Sequence, residues 1–336
     1  MTGFKFAAIG LDHRHIYHQV GQLLERGCEC VGWCTEGEPG TLEGFIKRFP
    51  DLPRVQNQRE LLDDPEIKLV VSAGVPSERS ALAIDAMRAG KDVMVDKPGV
   101  TNLGALEIIK KTHAETGRIW SVNFSERFET RSTAKALELV RAGAIGKVVQ
   151  TLGMGPHRLN KPTRPDWFFE RNKYGGILGD IASHQIDQFL MFTGSTDAEI
   201  MSASIGNFAN PETPELEDFG QVLLKSDRAT GYIRVDWFTP DGLPTWGDGR
   251  LTILGAEGYI ELRKYVDIAG RPGTDHLFLV NGEATQYVDC SDVELPYYSN
   301  LVADVLNRTE TAMPQTHCFK VMELAIQAQI QAERLA

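Results

Sequence analysis

Two hydrophobic rhythms alternate along the first third of the chain. Short apolar runs, "FKFAAIG", "CECVGWCT", "KLVVSAG" and "DVMVD", are separated by stretches with helical spacing. The helical stretches are one through Val20 and Leu24, one around "LEGFIKRF", and "SALAIDAMRAG". A strand that is apolar at every position is buried on both faces. Such strands alternating with helices predict βαβ units and a doubly wound parallel sheet. Gly90, directly after "AIDAMRA", is the expected helix stop. This first domain is placed at residues 1–122.

From residue 123 the rhythm changes. A helix "TAKALELVRAG" and a strand "KVVQTLGMG" lead through a polar loop to a long helix, "GGILGDIASHQIDQFLMF". After it come the β-rich pieces "GQVLLKS", "TGYIRVDWF", "RLTILG" and "GYIELR". Successive strands joined by turn residues predict a large, mostly antiparallel sheet with helices on one face, an α+β domain over 123–336. The tail from His317 to Glu333 is periodic helix, free to pack back on the first domain. Two domains also suit 336 residues at about 150 residues per domain.

Composition narrows the function classes. The formal net charge of -11 disfavours nucleic acid and anionic membrane as partners, because both are met by a positive face. No apolar run approaches a membrane span, and "MTGFKFAAIG" lacks the basic start and cleavage site of a secretion signal. Cys28, Cys30 and Cys34 crowd one predicted strand, far in sequence from Cys290 and Cys318, so neither a disulfide framework nor a zinc spacing emerges. Buried free thiols in a reducing cytoplasm are the expectation.

In a doubly wound sheet, ligands bind outside the carboxyl ends of the strands, with phosphates at the N-terminus of the first helix. The turn there reads "IGLDHRHIYHQV". Where a dinucleotide loop has G-x-G-x-x-G, the three glycine positions hold Gly10, Asp12 and His15. Asp12 repels a pyrophosphate unless His13 or Arg14 offsets its charge. At the end of the second strand, Thr35 and Glu36 stand where a carboxylate accepts the adenosine ribose hydroxyls, which favours NAD without excluding NADP; an exposed loop acid is an equal reading of Glu36. Ala73, Gly74, Pro76, Asp96 and Lys97 join the candidate cofactor contacts at the same edge. His15 and His18 lie one helical turn apart, yet no convergent ligand set accompanies them, so no metal is expected.

Three further stretches hold candidate chemistry. In "VMVDKPG", Lys97 ends a buried strand and could donate to a substrate oxygen, or simply open a surface loop. In "YGGILGDIASHQIDQF", Asp180, His184 and Asp187 share one stripe, while Leu178, Ile181, Ala182, Ile186 and Phe189 cover the other side. Such a stripe is either a solvated face or a general base held between carboxylates. The loop "GPHRLNKPTRPDWFF" offers His157, Arg158, Arg164 and Trp167 as a cationic, aromatic lid for a sugar acid, or else as a basic surface loop. Glu126 and Arg127 lie near the domain junction, where Arg127 could reach substrate.

Taken together, "DKP" at Asp96 to Pro98, "GGILGDIASHQID" and "GRLTILGAEGYIELR" resemble the Gfo/Idh/MocA oxidoreductases, relatives of glucose-fructose oxidoreductase and inositol dehydrogenase. The resemblance runs over essentially the whole chain. It implies a Rossmann domain followed by an α/β domain whose open sheet forms a homodimer or homotetramer, with a nicotinamide cofactor. It makes Lys97, Asp180 and His184 the catalytic set, acting on a secondary alcohol of a sugar, sugar acid or cyclic polyol. His18 matches a histidine that often follows the family's glycine loop. Departures are the two absent glycines, the displaced second-strand carboxylate, and Asp96 in place of the usual Glu. Relatives that cleave glycosides through a transient oxidation, and noncatalytic sugar sensors, are the competing functions.

Overall fold

The computed structural model describes residues 3–335. In chain order its elements are β1 (Lys5–Ile9), α1 (His15–Glu25), β2 (Glu29–Cys34), α2 (Leu42–Arg48), α3 (Gln58–Asp63), β3 (Ile67–Ser72), α4 (Arg79–Arg88), β4 (Asp92–Asp96), α5 (Leu103–Thr116) and β5 (Trp120–Asn123). Then follow α6 (Ser125–Phe128), α7 (Arg131–Arg141), β6 (Val148–Pro156), α8 (Arg171–Tyr174), α9 (Ser183–Thr193), β7 (Glu199–Gly206), β8 (Phe219–Lys225) and β9 (Thr230–Asp236). The last are β10 (Arg250–Gly255), β11 (Gly258–Arg263), β12 (His276–Asn281), β13 (Thr285–Val288), α10 (Tyr297–Asn307), α11 (Gln315–Gln331) and β14 (Glu333–Arg334).

The chain forms two compact units. The first runs to Asn123 and takes in Pro165–Gly175 and Pro296–Met322; the second holds Phe124–Arg164, Gly176–Leu295 and the chain from Glu323.

In the first unit five parallel strands lie in the order β2-β1-β3-β4-β5. The uninterrupted apolar runs have the burial they require: Val70, Val71, Val93, Met94 and Val95 are wholly covered. Strand β5 departs from the pattern because it carries buried polar side chains with dedicated partners. The Ser121 hydroxyl meets the Tyr297 hydroxyl at 2.8 Å, and the Asn123 amide donates to the Tyr298 hydroxyl at 2.6 Å. Close to these, Arg308 donates to both oxygens of Asp92. A buried polar group without a partner costs about 1–3 kcal/mol, so the α10 segment secures this edge of the sheet. The order of strands places a topological switch between β1 and β3, where ligand crevices open in such sheets.

In the second unit nine strands run β13-β12-β11-β10-β6-β9-β8-β7-β14. Six neighbouring pairs are antiparallel, and β6·β9 and β7·β14 are parallel. Period-two alternation puts Leu251, Ile253, Ile260, Leu262, Leu277 and Leu279 on one face, paired across strands as Leu251↔Leu262, Ile253↔Ile260 and Ile260↔Leu279. Helix α9 packs against β6 at unusually short range. A Cβ on Gly153 would lie 2.7 Å from Gln185, and one on Gly155 2.9 Å from Ile181, so both positions need glycine.

All five cysteines are unbridged and buried. Among the described residues no helix is long and apolar enough to cross a membrane.

Candidate active site

The turn after β1 is built by backbone bonds to its neighbours. Gly10 N donates to Cys34 O at 2.8 Å, Ala73 N donates to Gly10 O at 3.0 Å, and His13 N donates to Ala73 O at 2.8 Å. The turns after β1 and β3 are thereby laced together at the switch point. Gly10 has φ +78°, and a Cβ there would stand 2.9 Å from Gly74 Cα, so this position needs glycine for conformation and for space. The Thr35 hydroxyl accepts from Leu11 N at 3.2 Å and holds the turn against the end of β2. Glu36 is exposed, Arg14 is exposed, and Pro76 is buried beside Gly74. No side chain caps the start of α1; the Ile16 and Tyr17 N–H groups turn back on His13 O and Arg14 O, each at 3.2 Å, and the positive end of the helix dipole lies at this turn.

Asp12, at the second glycine position, has a perturbed carboxyl. Burial, reinforced by Glu78 and opposed by Arg79, pushes it up to about 6. Its charge is therefore lost at a higher pH than that of an ordinary carboxylate. His13 and His15 turn toward Asp96, the last residue of β4. Their Nδ1 atoms lie 2.8 Å and 2.9 Å from its two carboxylate oxygens. Burial, then the adjacent His15, pushes His13 down to about 4. Burial alone would raise Asp96, but His15 and His13 hold it well below the usual carboxylate range. His18 is not part of this group; its ring meets Tyr298 edge-on at 5.7 Å.

Lys97 follows at once. It is buried, with its N–H donating to Asp96 Oδ1 at 2.9 Å. Arg79 fixes the same turn from beneath, donating to the carbonyls of Asp96, Lys97 and Pro98 at 2.8, 2.6 and 3.0 Å and to Gly74 O at 2.8 Å. One buried guanidinium therefore joins the turns after β3 and β4. The sequence reading missed Arg79. Its only signal is an arginine at the start of α4 in an otherwise small, apolar stretch.

In the second unit the helix bearing Asp180 and His184 differs from its expected form. Residues Leu178–Ala182 make a π-turn before α9 begins at Ser183. The wider turn breaks the 100° spacing on which the ionisable stripe rested. The solvated-face reading is overturned: His184 is 2% exposed and Asp187 fully buried, and only Asp180 is partly open. Phe124 meets the His184 ring edge-on at 6.2 Å. Asp187 is committed to Arg127, whose Nη1 donates to it at 2.8 Å. Beside them lies a buried Glu126–Lys264 pair at 2.8 Å, which pattern reading did not find. Burial opposes the Lys264 charge, but Glu126 outweighs it and raises the ammonium above its ordinary value.

The loop after β6 uses its arginines on backbone carbonyls, Arg164 within the loop and Arg158 on the loop after β9. Arg158 Nη2 donates to Pro240 O at 2.8 Å and Leu243 O at 2.6 Å. Arg164 donates to Leu159 O at 2.7 Å and lies over the Trp237 ring at 4.9 Å. His157 packs between Trp237 and Trp246, with Nδ1 directed at Gly155 O at 3.0 Å. Trp167 belongs to the first unit, where it neighbours Phe168.

Two family models match. One, described as an oxidoreductase family with an NAD-binding Rossmann fold, covers residues 4–124; the other, the GFO/IDH/MocA C-terminal domain, covers 133–261. The chain belongs to the GFO/IDH/MocA family. A presumed oxidoreductase of Erwinia carotovora atroseptica SCRI1043, known from its crystal structure, is 46% identical, with TM-score 0.96 over 99% of this chain and 100% of that one. The scyllo-inositol 2-dehydrogenase (NAD(+)) of Bacillus subtilis strain 168 is 27% identical over 88% of this chain and 85% of its own. A levoglucosan dehydrogenase solved in complex with NADH shares the fold at 18% identity and TM-score 0.79, over 98% and 96% of the two chains.

As a member of this family the protein is an NAD(P)-dependent dehydrogenase with a Rossmann nucleotide domain. Its turns fit a dinucleotide despite the lost glycines. The start of α1 follows the β1 turn at the switch point, and Gly10 keeps the conformation the turn requires.

Proposed function

We propose that the protein oxidises a secondary hydroxyl of a neutral sugar or cyclic polyol, or performs the reverse reduction, with NAD as redox partner. The observation that carries this reading is His184, an imidazole 2% exposed immediately after a π-turn bearing Asp180. Bound nicotinamide supplies the hydride acceptor. His184 takes the hydroxyl proton, Asp180 hydrogen-bonds the substrate and orients the imidazole, and the Lys97 ammonium hydrogen-bonds the reacting oxygen. The family resemblance supports these three roles, and Gly10, Asp12, His13, Arg14, His15, Thr35, Glu36, Ala73, Gly74, Pro76 and Asp96 form the surroundings proposed for the cofactor.

NAD is favoured over NADP by charge. Asp12 feels both Glu78 and Glu36, and a 2′-phosphate near Glu36 would meet this negative field. A neutral substrate is favoured over a sugar acid because Arg158 and Arg164 already donate to carbonyls. Replacing both arginines by Ala should lower the thermal midpoint and raise KM equally for neutral and anionic sugars. A selectively larger KM change for the anionic sugar would restore the sugar-acid reading. We also propose a cytoplasmic homodimer or homotetramer assembled through the sheet face that exposes Val149, Leu223, Leu254 and Tyr259; sedimentation analysis tests the assembly.

The decisive experiment titrates the full-length protein with NAD and NADP and then screens polyols, neutral sugars and sugar acids for reduced-nicotinamide absorbance. Net NADH formation with a polyol or neutral sugar supports the reading. Glycoside cleavage with tightly held cofactor and no net NADH overturns it in favour of an oxidation–elimination–reduction cycle. The pH response of cofactor binding provides a separate check. Asp12 gains its charge as pH rises through about 6 and then opposes the pyrophosphate. NADH should therefore bind about 3- to 10-fold more tightly at pH 5.5 than at pH 7.5, the scale of one partly screened charge interaction of about 1 kcal/mol. Asp12→Asn should abolish most of that slope; an unchanged slope would remove Asp12 from the phosphate turn.

A further inference from the structure

His13, His15 and Asp96 are the group of histidine and acidic side chains, among the described residues, whose donor atoms converge closely enough to be weighed as a metal site. The separations decide against that use. Two ligands of one tetrahedral zinc ion, each about 2.0–2.1 Å from it, stand about 3.3 Å apart. Here the Nδ1 atoms lie 2.8 and 2.9 Å from the carboxylate oxygens, which is hydrogen-bond spacing. His15 makes a regular bond to Oδ1, while His13 meets Oδ2 off the ideal line. An ionised carboxylate offers only lone pairs, so an imidazole nitrogen this close to it must carry the proton. Arg79, 3.6 Å from Oδ2, balances the charge of the buried carboxylate.

A neutral imidazole with its proton on Nδ1 has an acceptor at Nε2 and no second donor. The His13 and His15 side chains are 26% and 31% exposed, although His13 Nδ1 and Asp96 Oδ2 are covered. The exposure therefore belongs to parts of the rings turned away from the carboxylate. Lone pairs repel phosphate oxygens and accept from hydroxyls. The pair also sits beside Lys97 at the end of β4, whereas β2, with Thr35 and Glu36, lies on the other side of the β1–β3 switch.

We propose that Asp96 is a positioning residue that fixes His13 and His15 as Nδ1–H tautomers, so that their Nε2 atoms accept from the hydroxyls of the nicotinamide-side ribose. This site rests on the dinucleotide reading. It divides the turn after β1 into a phosphate-facing start, at Gly10 and the first N–H groups of α1, and a hydroxyl-reading end.

The test begins with the unmodified protein. Long-range proton–nitrogen correlation spectra of protein labelled with nitrogen-15 at histidine should show both rings with protonated Nδ1 and bare Nε2, assigned through His13→Gln and His15→Gln. In Asp96→Asn at least one ring should lose that state. NADH and ADP are then titrated against wild type, His13→Phe and His15→Phe. Each variant should bind NADH about 3- to 10-fold more weakly, the value of one neutral hydrogen bond, with ADP affinity changed less than about twofold. Protonated Nε2 on both rings, stoichiometric zinc that is lost in His15→Gln, or equal losses for NADH and ADP would each overturn the proposal. If wild type fails to bind NADH, the dinucleotide reading falls and this site with it; normal NADH binding with unaffected variants overturns this site alone.

Discussion

His184→Ala should lower turnover by about 100-fold or more while leaving NADH affinity within about twofold of wild type. A positioned general base contributes on that scale, and the imidazole is proposed to act on the substrate proton, with no part in holding the nucleotide. Because His184 is 2% exposed, truncation also leaves a small cavity, so the thermal midpoint must be measured alongside. His184→Gln keeps most of the volume and a hydrogen-bonding group without a usable base; it should be nearly as inactive and more stable than the Ala variant. A loss explained by unfolding would appear in the melting curve and in NADH binding together. Near wild-type turnover at saturating substrate, with chemistry shown to be rate-limiting, would remove His184 from the role. Asp180 would then be the next candidate. Asp187 would not, because it is fully buried and already accepts from Arg127 at 2.8 Å.

That ordering of candidates was not legible in the sequence. Helical periodicity placed Asp180, His184 and Asp187 on one stripe, but periodicity assumes a uniform turn. The π-turn at Leu178–Ala182 shifts Asp180 relative to the two residues that follow, and His184 and Asp187, on the face that looked polar, are buried. The strands were legible for the opposite reason. Continuous apolar runs such as "KLVVSAG" have one stable use in a parallel sheet, and the alternation in "RLTILG" and "GYIELR" has one in a half-covered sheet. Strand β5 escaped notice because Ser121 and Asn123 interrupt its apolar run, and their partners Tyr297 and Tyr298 lie far along the chain. The same distance in sequence hid Arg79 from its carbonyls and Lys264 from Glu126. The three histidines of the first turn suggested a pair at helical spacing, His15 and His18. The pair that forms is His13 and His15, because Asp96 lies at the end of β4 between them.

Lys97→Ala should reduce turnover by a factor comparable to that of His184→Ala, and Lys97→Arg should not restore it. The backbone around Lys97 is held independently of its side chain: its N–H goes to Asp96, and Arg79 gathers the carbonyls of residues 96 to 98. Removing the ammonium therefore leaves the turn in place, and the change in rate reports the lost charge. An ammonium is a compact donor that can meet a single oxygen as negative charge develops on it. A guanidinium is a planar fork suited to two acceptors. The loss should fall mainly on kcat, since stabilisation of developing charge is stronger in the transition state than in the bound substrate. NADH affinity should change little, because the proposed phosphate contacts lie at Gly10 and the start of α1. A variant with normal kcat and only a raised KM would make Lys97 a uniform binding group, and the reacting oxygen would need another donor. A Lys97→Arg variant with wild-type turnover would show that charge alone suffices at this position, contrary to the single-oxygen contact argued here.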